Sequence, residues 1–195
     1  EHIWQSGFQI EDSVSKDNEF QIGSAIINKA TLILNNIYGT FDDYDFLGAA
    51  VNIRVGLELA GDTETITMGN YTIVDQPQYN GSLITIECLD NMYKFDQPYA
   101  NSTLSYPATL DAIVRNACTC CNVIWGSSTF PNDDYVVSER PGDSNLTFRE
   151  IISYAAQIAC CYARCNTNGY LEFGWFDQDS LDTAIDQQVE IAGVH

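Results

Sequence analysis

Histidine is almost missing from this chain of 195 residues: His2 and His195, near or at the two ends, are the whole supply. Without an internal imidazole, the usual base for a serine or cysteine nucleophile is absent, and so is the usual nitrogen ligand of zinc. Cations are scarce as well, 8 Lys and Arg against 27 Asp and Glu, for a formal charge of −19. The acids outnumber the bases in both halves rather than in a tail. Such a surface repels phosphate backbones and anionic lipid, so direct nucleic-acid or membrane binding by charge is not expected. Both a plain solvated acidic surface and a specific electrostatic role fit the charge. No apolar run is long enough to span a membrane, and no signal peptide is visible. The P-loop, G-x-G-x-x-G, H-E-x-x-H and G-x-S-x-G patterns are all missing. The chain begins at Glu1 and stops after "EIAGVH", so a piece of a longer protein is expected.

What is present builds a folded protein. Hydrophobic residues make up 45% and aromatics 12%, ample for a core and against disorder. In "AAVNIRVGLELAGD", Val51, Ile53, Val55, Leu57 and Leu59 alternate with Asn52, Arg54, Gly56 and Glu58. That period of two predicts a half-buried strand closed by Gly61-Asp62. "KATLILNN" reads as a shorter strand. "NYTIVDQPQYNGSLITIECLD" reads as two strands meeting at Asn80-Gly81, with Pro77 at an edge or a strand end. Short antiparallel strands with little helix predict a barrel or sandwich up to about residue 100. "QPYANSTLSYPATL" has the composition of a linker.

Beyond it the period changes to that of a helix. Leu110, Ile113, Val114, Ala117 and Cys121 make one apolar stripe, and Phe148, Ile151, Ile152, Ala155 and Ala159 make another. Thr147 and Glu150 form a capping-box pair at the start of the second. A short strand is expected over Tyr135 to Ser138. "YARCNTNGYLEFGWF" predicts a hairpin about Asn168-Gly169, with Leu171, Phe173 and Trp175 turned inward. The fold class is α+β: a strand-rich part followed by a small two-helix domain.

Chemistry-bearing clusters are few. Asp42, Asp43 and Asp45, or Asp133 and Asp134, could supply an acid/base pair or a calcium loop, but neither has EF-hand spacing. Six of the seven cysteines fall in two groups: Cys118, Cys120 and Cys121, and Cys160, Cys161 and Cys165. Cys118 and Cys121 have C-x-x-C spacing, yet adjacent cysteines on a helix, such as Cys120 and Cys121 or Cys160 and Cys161, diverge by about 100°, so one sulfur of each adjacent pair points away from any shared centre. Buried core thiols are the expectation, with a metal site or disulfides as the alternatives. No catalytic residue, cofactor or metal is assigned.

Several stretches together carry a family likeness: "FQIGSAIINKATLILNN", "YDFLGAAVNIRVGLEL", "MGNYTIVDQPQYNGSLITIECLDNMYKFDQPY", "YPATLDAIVRNAC" and "TFREIISYAAQIACCYARCNTNGYLEF". From about Phe8 to Phe176 the chain resembles tail hub proteins of bacteriophages and prophages, the tail-associated or tail-spike type related to the baseplate hub. The resemblance implies a β-barrel tail-tube domain over 1–104, a small inserted α+β domain over 105–176, and the start of a truncated second barrel over 177–195. It also implies a homotrimeric ring at the distal end of the tail tube. That ring would lie beside other tail proteins in the virion, be made in the host cytoplasm, and leave a passage for DNA. Cys160 and Cys161 depart from the small residues that relatives tend to carry there. No enzyme activity is expected. A glycan-binding module using aromatic stretches such as "YDF" is the alternative, and a cell-wall hydrolase using Asp or Glu is a more distant one.

Overall fold

In a computed structural model of the chain, residues 2–15, 19, 21–59 and 62–175 are described. The first half is one antiparallel sheet. Its strands are β1 (Ile3–Glu11), β2 (Lys29–Asn35), β3 (Ala50–Leu59), β4 (Asp62–Ile73), β5 (Gln78–Asn80) and β6 (Leu83–Asp90). β6 is the middle strand. One of its edges pairs with β2 from end to end, and the other is shared by β5 and the last three residues of β4. The path runs β1-β2-β6-β4-β3, and among the described residues no pairing joins β1 to β3. The described residues thus form an open sheet, and the expected barrel closure is not seen among them. Alternation marks strands but carries no information on closure, which depends on tilt and stagger.

The turn between β5 and β6 also falls one residue later than expected. Asn80 faces Leu83, so the two loop residues are Gly81 and Ser82, with Gly81 at φ 60°. Glycine at the first loop position is what a tight hairpin of this type calls for. β1 and the outer half of β4 were not read as strands from the sequence.

Alternate residues of β6, Ile84, Ile86 and Cys88, are buried with Ala30, Ile53, Tyr71 and Ile73. The second core is larger and is built on α1 (Leu110–Cys121) and α2 (Phe148–Ile158). Both stripes read from the sequence are buried. Thr109 Oγ1 accepts from the Ala112 amide to open α1, and Asn122 closes it in the left-handed conformation at φ 52°. The capping box on α2 is formed: Thr147 Oγ1 accepts from the Glu150 amide while Glu150 Oε2 accepts from the Thr147 amide. Two short strands, β7 (Ala108–Thr109) and β8 (Val136–Val137), pair beside α1. β9 (Tyr162–Cys165) and β10 (Leu171–Gly174) form the last hairpin. Their loop is five residues long, 166–170, rather than a two-residue turn. Leu171 is fully buried and Phe173 half-buried, but Trp175 is 51% exposed, against the inward position expected for it.

The stretch with linker composition is not a free linker. Tyr99 is buried edge-on to Phe148, with ring centroids 5.3 Å apart, and its hydroxyl lies 2.6 Å from that of Tyr106. Arg140 lies over the Tyr99 ring and donates to the carbonyls of Tyr99 and Ser102 at 2.8 and 2.9 Å. Met92 and Phe95, in a 3₁₀ turn over Asn91–Asp96, belong to the same core. The helical core thus reaches back across residue 104. It also takes in Ala25 from the first half, where the Gly23 amide donates to the Cys161 carbonyl and the Ala163 amide to the Ser24 carbonyl. Residues 176–195, where the start of a second barrel was expected, lie outside the described residues.

Candidate functional site

Two surface features stand out once the cores are assigned. The first is an arm. Among the described residues β3 pairs only with β4, and β4 reaches β6 only through Tyr71, Thr72 and Ile73. Arg54–Leu59 and the outer part of β4 therefore run on as a two-stranded ribbon with no third strand among the described residues. An irregularity between Ile53 and Arg54 leaves Met68 as the extra residue of β4, a bulge at the base of the arm. Gly69 beside it is needed for space: a Cβ there would sit 2.4 Å from the Tyr71 ring, which folds back over the strand.

Val55 and Leu57 lie on the same face of β3 as the buried Ile53, and Ile66 faces Val55 across the ribbon. They are nevertheless 50%, 62% and 69% exposed. The core-facing side of the hairpin continues past the core into solvent. Alternation predicted the face correctly, but not that the outer half of it is uncovered.

The second feature is a polar cleft of about 160 Å³ between the sheet and the β9–β10 loop. Asn70 Nδ2 donates to the Thr167 carbonyl at 3.0 Å and Asn91 Nδ2 to the Gly169 carbonyl at 2.8 Å, so the loop is tied to the sheet. Gly169, at φ 77°, allows this approach, since a Cβ would lie 2.6 Å from Asn91 Nδ2. Asp12, Asn28, Tyr71, Asp90, Arg164 and Glu172 border the cleft. Asp90 ends the buried face of β6. Burial pushes its carboxyl up to about 7, the backbone of Met92 and of Asn28 opposes this, and the nearby Asp12 adds to it. Tyr71 is pushed up to about 12, first by burial and then by Asp12 and Asp90. Sequence reading passed over Asp90, although its parity with Ile84, Ile86 and Cys88 marks a carboxylate on a buried face.

Of the carboxylates singled out in the sequence, those of Asp42 and Asp45 make local hydrogen bonds. Asp42 Oδ1 accepts from Asn36 Nδ2 at 2.7 Å, and Asp45 Oδ1 accepts from the Leu47 amide at 3.1 Å, holding the loop before β3. The Asp133 carbonyl accepts from the Asp111 amide at the start of α1. All seven cysteines are free thiols, with Cys88 in the sheet core and Cys118, Cys121, Cys161 and Cys165 in the helical core. Burial pushes the Cys88 thiol up to about 11 and those of Cys118 and Cys121 up to about 12, and it raises Cys161 and Cys165 as well. Such thiols stay protonated at neutral pH and make poor nucleophiles or ligands. Cys160 is exposed, at φ 57° just past α2, so it turns away from its buried neighbour Cys161. Among the described residues no three His, Cys, Asp or Glu side chains converge as a metal cluster. No helix there is long and apolar enough to cross a membrane.

No protein-family model matches the chain, and no curated protein matches it. Among solved structures, the chain is similar to the 43 kDa tail protein of prophage MuSo2 from Shewanella oneidensis. The two share 15% identity at a TM-score of 0.47, over 78% of this chain and 47% of that one. This chain thus spans about half the length of that tail protein.

Proposed function

We propose that the chain is a non-enzymatic assembly module of a bacteriophage or prophage tail. In this reading it is a hub protein at the distal end of the tail tube, joining copies of itself into a trimeric ring and contacting neighbouring tail proteins. The observation that carries the reading is the arm. An apolar face formed by Val55, Leu57 and Ile66 stands free on a chain of charge −19, where solubility alone would favour polar residues. Exposed apolar side chains grouped in this way, with Glu64 opposite Leu57 at their rim, mark a contact with another protein. A ring closed by rotation gives every arm an identical neighbour to cover it. The sequence resemblance from Phe8 to Phe176 supplies the biological setting. Passage of DNA agrees with the charge, since an acidic conduit does not hold what it conducts.

Light scattering at physiological salt and high protein concentration tests this. A mass of roughly three times the 21.7 kDa chain is expected. A chain that stays monomeric at every concentration, or that clears bacterial cell walls in a zymogram, would replace the reading. A glycan-binding role has one observation in its favour: exposed Tyr44 packs edge-on against Phe41 and is stacked on Phe46 at 6.1 Å, with Tyr38 also exposed. Specific retention on a cell-wall glycan array would select it.

A further inference from the structure

The cleft between the sheet and the β9–β10 loop holds negative charge that neither core explains. Arg164 and Glu172 cancel each other there. Both Glu172 oxygens are engaged, by Arg164 Nε at 2.7 Å and by Asn166 Nδ2 at 3.0 Å. That leaves Asp12 and Asp90, which are joined through Asn28. Asp12 Oδ1 accepts from Asn28 Nδ2 at 2.9 Å, and the Asn28 carbonyl accepts from the Asp90 amide at 2.9 Å. Asp90 Oδ1 accepts from the Met92 amide at 3.0 Å. Asp90 Oδ2 has no hydrogen-bond partner among the described residues, although Asp90 is only 5% exposed. A buried carboxylate oxygen without a donor is costly, and proteins rarely leave one so. At about 30 Å³ per water, the cleft has room for about five waters or for an ion that keeps part of its hydration shell.

We propose that this cleft binds one hard divalent cation, calcium in the first instance, held between the carboxylates of Asp12 and Asp90 and completed by neutral oxygens and water. With the Asp90 proton displaced by the cation, Asp12 and Asp90 together supply two negative charges to balance one doubly charged ion. The available donors are oxygens, which select calcium or magnesium over thiophilic metals. Cys165 borders the cleft, but its buried thiol is held protonated and offers no thiolate. With only two carboxylates the affinity belongs in the weak range of about 10⁻⁴–10⁻³ M. An ion in this place would tie the end of β1 to the end of β6, beside the loop that joins the sheet to the helical half.

The test uses the whole chain, stripped with a chelator and kept in 0.15 M KCl, with calcium titrated by calorimetry and by the shift in Tm. One saturable site per chain is expected, with Tm rising as it fills. Asp90→Asn keeps an acceptor for the Met92 amide, and it should weaken binding by at least about tenfold, because ligand charge sets affinity. Asp12→Asn alters an exposed side chain, so it should fold and show a similar loss even if the buried variant does not. Terbium emission excited through Tyr71 should appear in the wild type and fade in Asp12→Asn. The double change Asp133→Asn and Asp134→Asn should leave binding as it is. No saturable uptake below about 10 mM, or uptake that neither Asp12→Asn nor Asp90→Asn changes, would overturn the proposal.

Discussion

Replacing Asp90 with asparagine should make the protein more stable at pH 8 and change little at pH 4. Asp90 occupies a buried position on the core-facing side of β6, and its carboxyl is raised from 3.8 to about 7, chiefly by burial. The unfolded chain loses this proton near pH 4, whereas the folded protein keeps it until about pH 7. Between those values the folded state binds more protons, so stability falls as pH rises, and the whole cost is present above pH 7. Three pH units at about 1.4 kcal/mol each put that cost on the order of 4 kcal/mol, reduced by whatever water enters the cleft. Asparagine carries no charge to bury and still presents an oxygen to the Met92 amide, so the 3₁₀ turn keeps its cap. Urea melts of both proteins, with chelator present and from pH 4.5 to 8.5, give the difference directly, because other carboxylates largely cancel between them. A gap that opens with rising pH supports the reasoning. A constant gap, or a variant less stable at pH 8, refutes it.

Three further outcomes follow from the two cores. Ile152→Ala, at a fully buried position on α2, should cost about 2–5 kcal/mol in denaturant melts. Thr147→Ala removes one side of the capping box and should cost about 1 kcal/mol. A thiol reagent should modify Cys160 first in the native protein, because Cys88, Cys118, Cys121, Cys161 and Cys165 are buried and held protonated. All seven cysteines should react after denaturation.

Local signals were legible and non-local ones were not. The stripe from Leu110 to Cys121 and the Thr147–Glu150 pair define α1 and α2 because helix periodicity and capping are written within a few residues. β3 was legible for the same reason, but period two says which face an apolar residue takes, not whether anything covers it. Val55 and Leu57 therefore looked like core and stand exposed. The residues around Tyr99 looked like a linker because their hydrogen-bond partner, Arg140, lies about forty residues further on. Sheet closure was beyond reach, since it depends on pairing between β1 and the far edge rather than on either strand's own pattern. The cleft joins Asp12, Asn28, Asp90 and Arg164 from four separate segments, and only the parity of Asp90 on β6 pointed to it.

The central claim is that the chain assembles through the apolar face of its arm, and sedimentation velocity over a salt series on the wild type and on Leu57→Asp tests it most directly. Leu57 is 62% exposed, so the substitution should leave the monomer fold intact while placing a charge on the contact face. Repulsion between chains of −19 reaches across about 30 Å at 0.01 M salt but only about 8 Å near 0.15 M, whereas apolar burial changes little. The wild type should sediment as a monomer at low salt and shift toward a trimer as salt rises, and Leu57→Asp should remain a monomer throughout. A wild-type oligomer that dissociates as salt rises, or one that Leu57→Asp leaves untouched, would contradict assembly through the arm.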